Sequence, residues 1–168
     1  MGARGVVALA ITAVVVAAGC AGRRIEGGVF HSSKGYRIGL PGDEWTVVEA
    51  SGADLELRHR TASAAMLANA TCGDATPAPG LDVLSRHLLM GFHSRAIVEW
   101  EDVAVDGRRA AHAVLDGRLA AGDALTRVET YVMKDERCVY DFALVAPPES
   151  FERWRTAFRE LVDSFATE

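Results

Sequence analysis

The sequence lacks the short motifs by which many enzymes are recognised. It contains no G-x-S-x-G, no phosphate-binding P-loop, no G-x-G-x-x-G and no H-E-x-x-H. The common serine hydrolase, nucleotide-binding and zinc protease classes therefore have no support in the sequence. The function of the 168-residue chain has to be inferred from its composition, its apolar patterning and a few isolated residues.

Histidine is scarce, and its five copies are not spaced as metal ligands. No two histidines are four residues apart, the helical spacing of a metal-binding pair, and the nearest two, His87 and His93, are six apart. His59 stands between two arginines, at most on the edge of a basic patch. We expect no metal site and ordinary solvated or hydrogen-bonded side chains at His31, His59, His87, His93 and His112.

Two further arrangements invite a catalytic interpretation. Ser32 and Ser33 follow His31, but adjacency in sequence is not the geometry of a catalytic triad, and no third member is indicated. Asp135 and Glu136 form a carboxylate pair, but they fall in a predicted hairpin turn, where charged residues are common. The sequence therefore predicts no catalytic residue and no cofactor.

Positive charge is in deficit. The chain has 18 Lys and Arg against 23 Asp and Glu, a formal net charge of −5. Removal of the first 19 residues would take away Arg4 and no acid, which leaves 17 minus 23, or −6. An acidic domain is poorly suited to bind nucleic acid, or anionic lipid surfaces by charge alone. We expect no nucleic acid partner.

Cysteine occurs only three times, at Cys20, Cys72 and Cys138. No C-x-x-C is present, which argues against a redox-active pair. In an oxidising compartment, a disulfide between Cys72 and Cys138 would close a loop of about 66 residues. The alternative is two separate small core residues, because unpaired cysteine is often buried. The sequence leaves both interpretations open.

Long apolar runs are also lacking, except for VVALAITAVVVAA at residues 6–18. This run is shorter than the roughly 20 apolar residues that a membrane-spanning helix needs. Arg4 precedes it and small residues follow it, which is the layout of a cleaved signal peptide. We predict a signal peptide at 1–19, with a retained helix as the less favoured alternative.

The end of this run, Ala17-Ala18-Gly19-Cys20, resembles the lipobox of bacterial lipoproteins, although Leu is more usual at its first position. The resemblance implies that Cys20 is diacylated and becomes the first residue of the mature chain. Two or three acyl chains suffice for stable membrane anchoring. By analogy with lipoprotein sorting, Ala21 favours the periplasmic face of the outer membrane. The alternative is an ordinary secretory signal, with Cys20 a free thiol.

The mature chain is long enough for one domain but not for two typical ones. Residues 20–28, CAGRRIEGG, predict a tether, and the domain is expected to span 29–168. Short segments separated by turn signals predict five strands, at GVFHS, YRIGLP, WTVVEA, DLELRHR and AAMLANATC. The loop at 73–80 follows, because its prolines and glycines block regular structure.

Two helices are predicted on either side of a four-stranded meander. The first spans 81–92, with Ser85 on its outer face and its apolar residues, Leu81, Leu84, Leu88 and Phe92, on the inner face. The meander comprises AIVEWEDVAV, RAAHAVLDGRLA, LTRVETYVMK and CVYDFALVA. The closing helix repeats large apolar residues from Phe151 to Phe165, a stripe expected to cover a sheet face. Contact with a membrane surface is the minor alternative for this stripe.

This element order gives an α+β fold, an antiparallel β-sheet meander flanked by helices. GYRIGLPGDEW and APPESFERWRTAFRELVDSF together resemble the Mog1/PsbP-like α/β/α sandwich, over most of residues 29–166. That fold family includes photosystem accessory proteins, a nuclear-transport regulator and many small bacterial lipoproteins. The resemblance implies a non-enzymatic assembly or binding factor, because the family shares no catalytic residues.

The sequence therefore favours a lipid-anchored, non-enzymatic envelope protein that serves a membrane-proximal transport or assembly complex as a binding or accessory module. The alternative is a periplasmic carrier of a lipid or another small apolar ligand, held between sheet and helix. The carrier would be favoured if the 81–92 helix or the 73–80 loop were mobile and a pocket of about 300 Å³ or more lay beneath. A hydrolase or redox enzyme is less favoured still. Exposure of Trp45, Trp100 and Tyr131 would favour a protein interface.

Overall fold

The computed structural model describes residues 24–74, 78–120 and 123–168. The predicted signal peptide, Cys20 and the first residues of the predicted tether lie outside these ranges, as do residues 75–77 and 121–122. Within them the chain forms, in order, β1 (Arg24–Glu26), β2 (Val29–Ser32), β3 (Tyr36–Gly39), β4 (Trp45–Val47), β5 (Leu55–His59), β6 (Ala65–Cys72), α1 (Leu81–Leu88), β7 (His93–Val105), β8 (Arg108–Arg118), β9 (Thr126–Lys134), β10 (Cys138–Ala146), α2 (Glu152–Asp163) and β11 (Ala166–Thr167).

A seven-stranded antiparallel sheet forms the middle of the domain. Its strand order is β4-β5-β6-β10-β9-β8-β7, so β4 and β7 are its edges. The β6–β10 pair lies at the centre and joins two local meanders, with Leu144 opposite Met66. The four strands after α1 form the meander that the sequence predicts.

Strand β10 shows why the sheet lies between two layers. Its residues alternate strictly between buried and half-buried positions, because successive side chains point to opposite faces of a strand. Tyr140, Phe142 and Leu144 belong to the main core, whereas Ala143 and Val145 pack against a second, smaller cluster on the other face.

Helix α2 covers the face that carries the main core. Phe151, Trp154, Phe158 and Phe165 are each at most 6% exposed. Phe165 packs against Tyr140 and Phe142, with ring centroids 4.9 and 5.5 Å apart. The predicted apolar stripe therefore lies in the core. Full burial of each large apolar side chain contributes about 1.5–3 kcal/mol.

A second sheet, in the order β1-β2-β3-β11, lies on the same side as α2. Its first strand differs from the tether predicted at 20–28, because residues 24–26 pair with β2. Gly27 and Gly28 adopt φ values of +58° and +78°, as the tight turn between two strands requires. The glycine pair that suggested a flexible tether is the turn of a hairpin. Strand β11, which the sequence did not suggest, pairs with β3.

Helix α1 packs against β8 and β9 on the opposite face of the large sheet. The sequence placed Ser85 outward and Leu88 inward, and both assignments are wrong: Ser85 is fully buried and Leu88 is 38% exposed. The strand residues on this face include the small side chains Ala111 and Ala113. A small residue such as Ser85 allows the helix to approach them closely.

Cys72 and Cys138 are directly opposite each other on β6 and β10, with Cα atoms 4.1 Å apart, and are joined by a disulfide. The described architecture, antiparallel sheets with a helix on each side, confirms the predicted α+β fold class. Its three layers are α1, the large sheet, and α2 together with the small sheet.

Candidate binding groove beside helix α1

The residues that invited a catalytic interpretation do not come together. His31 Nδ1 lies 2.7 Å from Glu168 Oε1, whereas Ser32 Oγ accepts the Lys34 N–H at 3.2 Å. Adjacent residues of β2 thus make separate contacts, since they point to opposite faces.

Asp135 stabilises the hairpin turn between β9 and β10. Its carboxylate accepts the backbone N–H groups of Arg137 and Cys138, both at 2.8 Å, and the Tyr140 hydroxyl at 2.7 Å. Burial raises the pKa of this carboxyl, but these hydrogen bonds outweigh burial and hold the pKa below its usual value. The role of Asp135 within the described structure is to cap the turn.

His59 is not part of a basic patch. Its side chain is 6% exposed and lies between the rings of Trp45 and Trp154, with centroids 5.3 and 4.2 Å away. Nδ1 accepts the backbone N–H groups of Thr61 and Ala62. This histidine therefore packs in the core and orders the β5–β6 turn.

The described residues do contain one buried ionic cluster, centred on Glu129, which is fully buried on β9. Glu129 lies 2.8 Å from His112 Nε2 and accepts Arg155 Nε–H at 3.0 Å. Arg155 also pairs with Glu99, and His112 Nδ1 lies 3.2 Å from Glu101. We call these five residues the Glu129 cluster.

The Glu129 cluster contains the group of ligand-type side chains nearest to a metal site, Glu99, Glu101 and His112, whose ligand atoms lie within 4.8 Å of one another. Each of these side chains already has a protein partner: Glu99 pairs with Arg155, and His112 contacts both Glu101 and Glu129. Burial raises the Glu129 pKa, but His112 and Arg155 outweigh it and lower the pKa overall. The cluster is thus a network of side chains that contact one another, and Arg159 Nε extends it at 3.6 Å from Glu129.

Sequence reasoning missed this cluster. Its signal is the acid at Glu129, which shares the inner face of β9 with Tyr131 and Met133, two core residues. Charged groups are rarely buried without a partner, so an acid in an apolar alternation indicates a cation on a neighbouring element. Arg155, beside the apolar stripe of α2, supplies that cation.

A groove runs between α1 and the edge of the large sheet. Its cavity has a volume of about 490 Å³ and is lined by Val83, Arg86, His87, Leu89, Met90, Arg95, Ile97, Trp100 and Leu115. We call it the α1 groove. Ligand pockets typically measure about 300–1,000 Å³. The cavity of the α1 groove is therefore larger than the volume of about 300 Å³ that a ligand carrier is expected to need.

The rim of the α1 groove is unusually apolar for an exposed surface. Val83, Met90 and Ile97 are 51%, 65% and 60% exposed, although they lie on different elements. Scattered exposed apolar residues are normal, but several around one concave surface indicate a binding site. Leu89 and Leu115, which line the same cavity, are almost fully buried.

The three aromatic residues proposed to distinguish a protein interface behave differently. Trp45 and Tyr131 are both 8% exposed and belong to the main core. Trp100 is half-buried and lines the α1 groove, where the Arg86 guanidinium lies 4.9 Å from its ring centroid. Among these three, Trp100 alone can contribute to a surface site.

A second cavity of about 390 Å³ lies on the other side of α1. It shares His87 and Met90 with the α1 groove and includes Asp141 of β10. Burial raises the pKa of the Asp141 carboxyl to about 6. Helix α1 is therefore a ridge with an open channel along each side.

None of the described helices is both long enough and apolar enough to cross a membrane. No family model matches the chain, and none of the curated proteins matches it by sequence. Comparison with known proteins is therefore informative at the level of structure.

The fold is similar to that of cyanobacterial PsbP (CyanoP) from Synechocystis sp. PCC 6803, with a TM-score of 0.61 and 15% identity over 93% of this chain and 98% of that one. LpqN of Mycobacterium tuberculosis, described as involved in cell envelope biogenesis, matches with a TM-score of 0.57 and 17% identity, over 79% of this chain and 84% of LpqN. A Pseudomonas aeruginosa protein described as a putative regulator matches with a TM-score of 0.53 and 14% identity, over 76% of this chain and 84% of that protein. At these identities the likeness concerns the fold, and the chain has the PsbP-like α+β fold.

Proposed function

We propose that this chain is a lipid-anchored, non-enzymatic protein of the bacterial envelope. In this proposal, acyl chains on Cys20 hold it at a membrane, on the periplasmic face of the outer membrane, and the domain binds an apolar surface of a membrane-proximal transport or assembly complex. The observation that carries the proposal is the α1 groove, whose exposed rim of Val83, Met90 and Ile97 needs an apolar partner.

Three further observations support the proposal. The residues 17–20 resemble a lipobox, which supplies the anchor. The ionisable groups of the Glu129 cluster contact one another rather than an open cleft, so they do not resemble a catalytic site. LpqN, a protein of similar fold, is described as acting in cell envelope biogenesis.

The docking part can be tested by cross-linking in living cells. A photoreactive amino acid at Met90 should give a discrete adduct, and Ile97→Glu should abolish that adduct because a charge in the groove opposes apolar contact. The matched control is Leu119→Glu, since Leu119 is 58% exposed but lies outside the α1 groove. Loss of the adduct with both variants, or with neither, would contradict a specific role of the groove.

The anchor can be tested by intact mass. Protein isolated from its native membrane should carry the mass of two or three acyl chains on a chain that begins at Cys20, and Cys20→Ala should lose that mass. A mass that corresponds to simple cleavage, or to the uncleaved chain, would remove the anchor from the proposal and leave Cys20 a free thiol.

A periplasmic carrier of a lipid or another small apolar ligand is the second candidate function. The cavity of about 490 Å³ favours it, because this volume suits a small molecule. Organic extraction of the purified protein followed by mass spectrometry separates the two functions. A carrier should yield a stoichiometric small molecule, whereas a docking module should yield the protein adduct alone.

A further inference from the structure

The walls of the α1 groove are not uniformly apolar. Leu89, Ile97 and Leu115 give it an apolar floor and rim, but Arg86 and Arg95 also line it. None of the nine lining residues is acidic, in a chain whose formal net charge is −5. The groove therefore combines an apolar surface with local positive charge, the opposite sign to that of the whole chain.

Neither arginine is neutralised within the described ranges. Arg86 stacks on Trp100 at 4.9 Å, and Arg95 Nη1 donates to the Leu89 carbonyl at 3.1 Å. No carboxylate among the described residues forms an ion pair with either side chain. By contrast, Arg108, Arg127 and Arg155 on the other face all pair with acids. Arg86 and Arg95 thus retain donors for a ligand.

The contacts of the two arginines also hold them in place. Stacking on an aromatic ring fixes the plane of a guanidinium while leaving its edge N–H groups free. The hydrogen bond from Arg95 to the end of α1 holds the second cation in the lining of the same cavity. Side chains ordered before binding lose less entropy when the ligand arrives.

We propose that the α1 groove binds a long-chain aliphatic carboxylate. Its chain lies on Leu89, Ile97 and Leu115, and its carboxylate accepts hydrogen bonds from Arg86 and Arg95. An Arg guanidinium matches a carboxylate in geometry and forms strong, charge-assisted hydrogen bonds with it. This inference rests on the second candidate function, the carrier, because it takes a small apolar ligand and not a protein surface to be the occupant of the groove.

The test uses the full chain in membrane vesicles and three photoreactive probes with the same twelve-carbon chain: a carboxylic acid, an alcohol and a phosphate monoester. At about pH 8 the acid probe is ionised. Labelled peptides are identified by mass spectrometry. We expect the acid to label the segments that contain Met90 and Ile97 about tenfold more strongly than the alcohol, as one charge-assisted hydrogen bond implies.

Three variants make the test specific. Arg86→Gln should reduce labelling by the acid about threefold, since Arg95 remains, and should change labelling by the alcohol much less. Arg86→Lys keeps the charge and should restore much of the labelling. The matched control is Arg153→Gln, because Arg153 is an exposed arginine stacked on a tryptophan of α2, on the other side of the large sheet.

The outcomes separate this inference from the proposed function. Equal labelling of the groove by acid and alcohol would overturn the carboxylate while supporting an apolar binding site. Stronger labelling by the phosphate ester would replace the carboxylate with a phosphate head group. Failure of all three probes, with the Met90 adduct to a protein intact, would overturn the inference and leave the docking function standing.

Discussion

Glu129 on β9 and Asp141 on β10 are carboxyl groups on neighbouring strands whose pKa values are shifted in opposite directions. On one face of the sheet, Glu129 is surrounded by His112 and Arg155, which lower its pKa despite complete burial. On the other face, burial alone raises the pKa of Asp141 to about 6. The two groups should therefore affect stability at different pH values and with opposite sign.

Asp141→Asn should stabilise the protein at neutral pH. The folded carboxyl retains its proton up to about pH 6, whereas its unperturbed pKa is 3.8, so ionisation of Asp141 costs stability as pH rises through that window. We expect a gain of about 1–2 kcal/mol at pH 7, a value reduced for partial solvent exposure. Urea unfolding at several pH values measures it.

The control for this variant is Asp102→Asn, an exposed carboxylate paired with Arg109 on the same face, for which little change is expected. The gain from Asp141→Asn should vanish below about pH 4, where both states are protonated. A gain that does not depend on pH would show that burial of the charge is not its cause.

Glu129→Gln should destabilise the protein strongly. The substitution leaves His112 and Arg155 without their buried partner, and breaking a buried ion pair in this way costs about 3–5 kcal/mol. Because the pKa of Glu129 is lowered in the folded state, its contribution is present above its unfolded pKa of about 4.5 and is lost as pH falls below it. The difference between variant and native protein should therefore shrink in acid.

At the scale of single residues, the sequence predicted little of the α1 groove. The pairs around Ser32 and Asp135, which the sequence did not favour as catalytic groups, make separate structural contacts. The sequence could not place Arg86 and Arg95 in one cavity, because their shared location depends on how α1 packs against β8 and β9. Local patterns carry no information about such packing.

The two helices are held by unequal contacts. Helix α2 contributes Trp154, Phe158, Leu161 and Val162 to the main core. Within α1, Ser85 is the buried residue, and its hydroxyl has no hydrogen-bond partner among the described residues. Leu89, just beyond the helix, supplies the apolar contact. A helix with so little buried apolar surface should open at low free energy.

Hydrogen exchange should reveal this difference. Backbone amides of α1 should exchange at least about tenfold faster than those of α2, because α1 can detach without disturbing the main core. Mass spectrometry of peptides that cover Leu81–Leu88 and Glu152–Asp163 measures both rates. Equal protection of the two helices would show that α1 is as firmly held as α2 and that the α1 groove is rigid.

At the scale of elements, the sequence predicted strands and helices well where one face is buried. The alternation in CVYDFALVA and the stripe in α2 are direct consequences of a core on one side. Helix α1 was predicted in place, but Ser85 and Leu88 were assigned to the wrong sides of it, since its contact depends on small residues of β8. Strand β1 was missed because a glycine pair is typical both of a flexible tether and of a hairpin turn. It is a turn here because a strand lies on each side of it.

For the whole molecule, the Cys72–Cys138 disulfide should contribute to stability. It closes a segment with a sequence separation of 66 residues, which includes α1 and three strands of the large sheet. In the chain-entropy model such a cross-link contributes about 4 kcal/mol. The double variant Cys72→Ala/Cys138→Ala should lose about that amount in urea unfolding, and reduction of the native protein should give a similar loss. An unchanged free energy of unfolding would contradict this role.

The global architecture was predictable because the order of elements restricts it strongly. Five strands, a helix, four strands and a helix in about 140 residues leave few arrangements besides a sheet between helical layers. The sequence did not indicate that the early hairpin forms a sheet of its own with β11. That depends on β3 pairing with Ala166 and Thr167, a short distance beyond α2.

The position of the β6–β10 pair has a consequence for the order in which the protein folds. The strands β4–β6 and β7–β10 form two meanders whose hairpins close over short stretches of chain, whereas β6 and β10 must meet across the whole intervening segment. Such non-local pairing is slow, because loop-closure entropy is lost before the new contacts form. We expect β6–β10 pairing to be a late step, with oxidation of the two thiols following it.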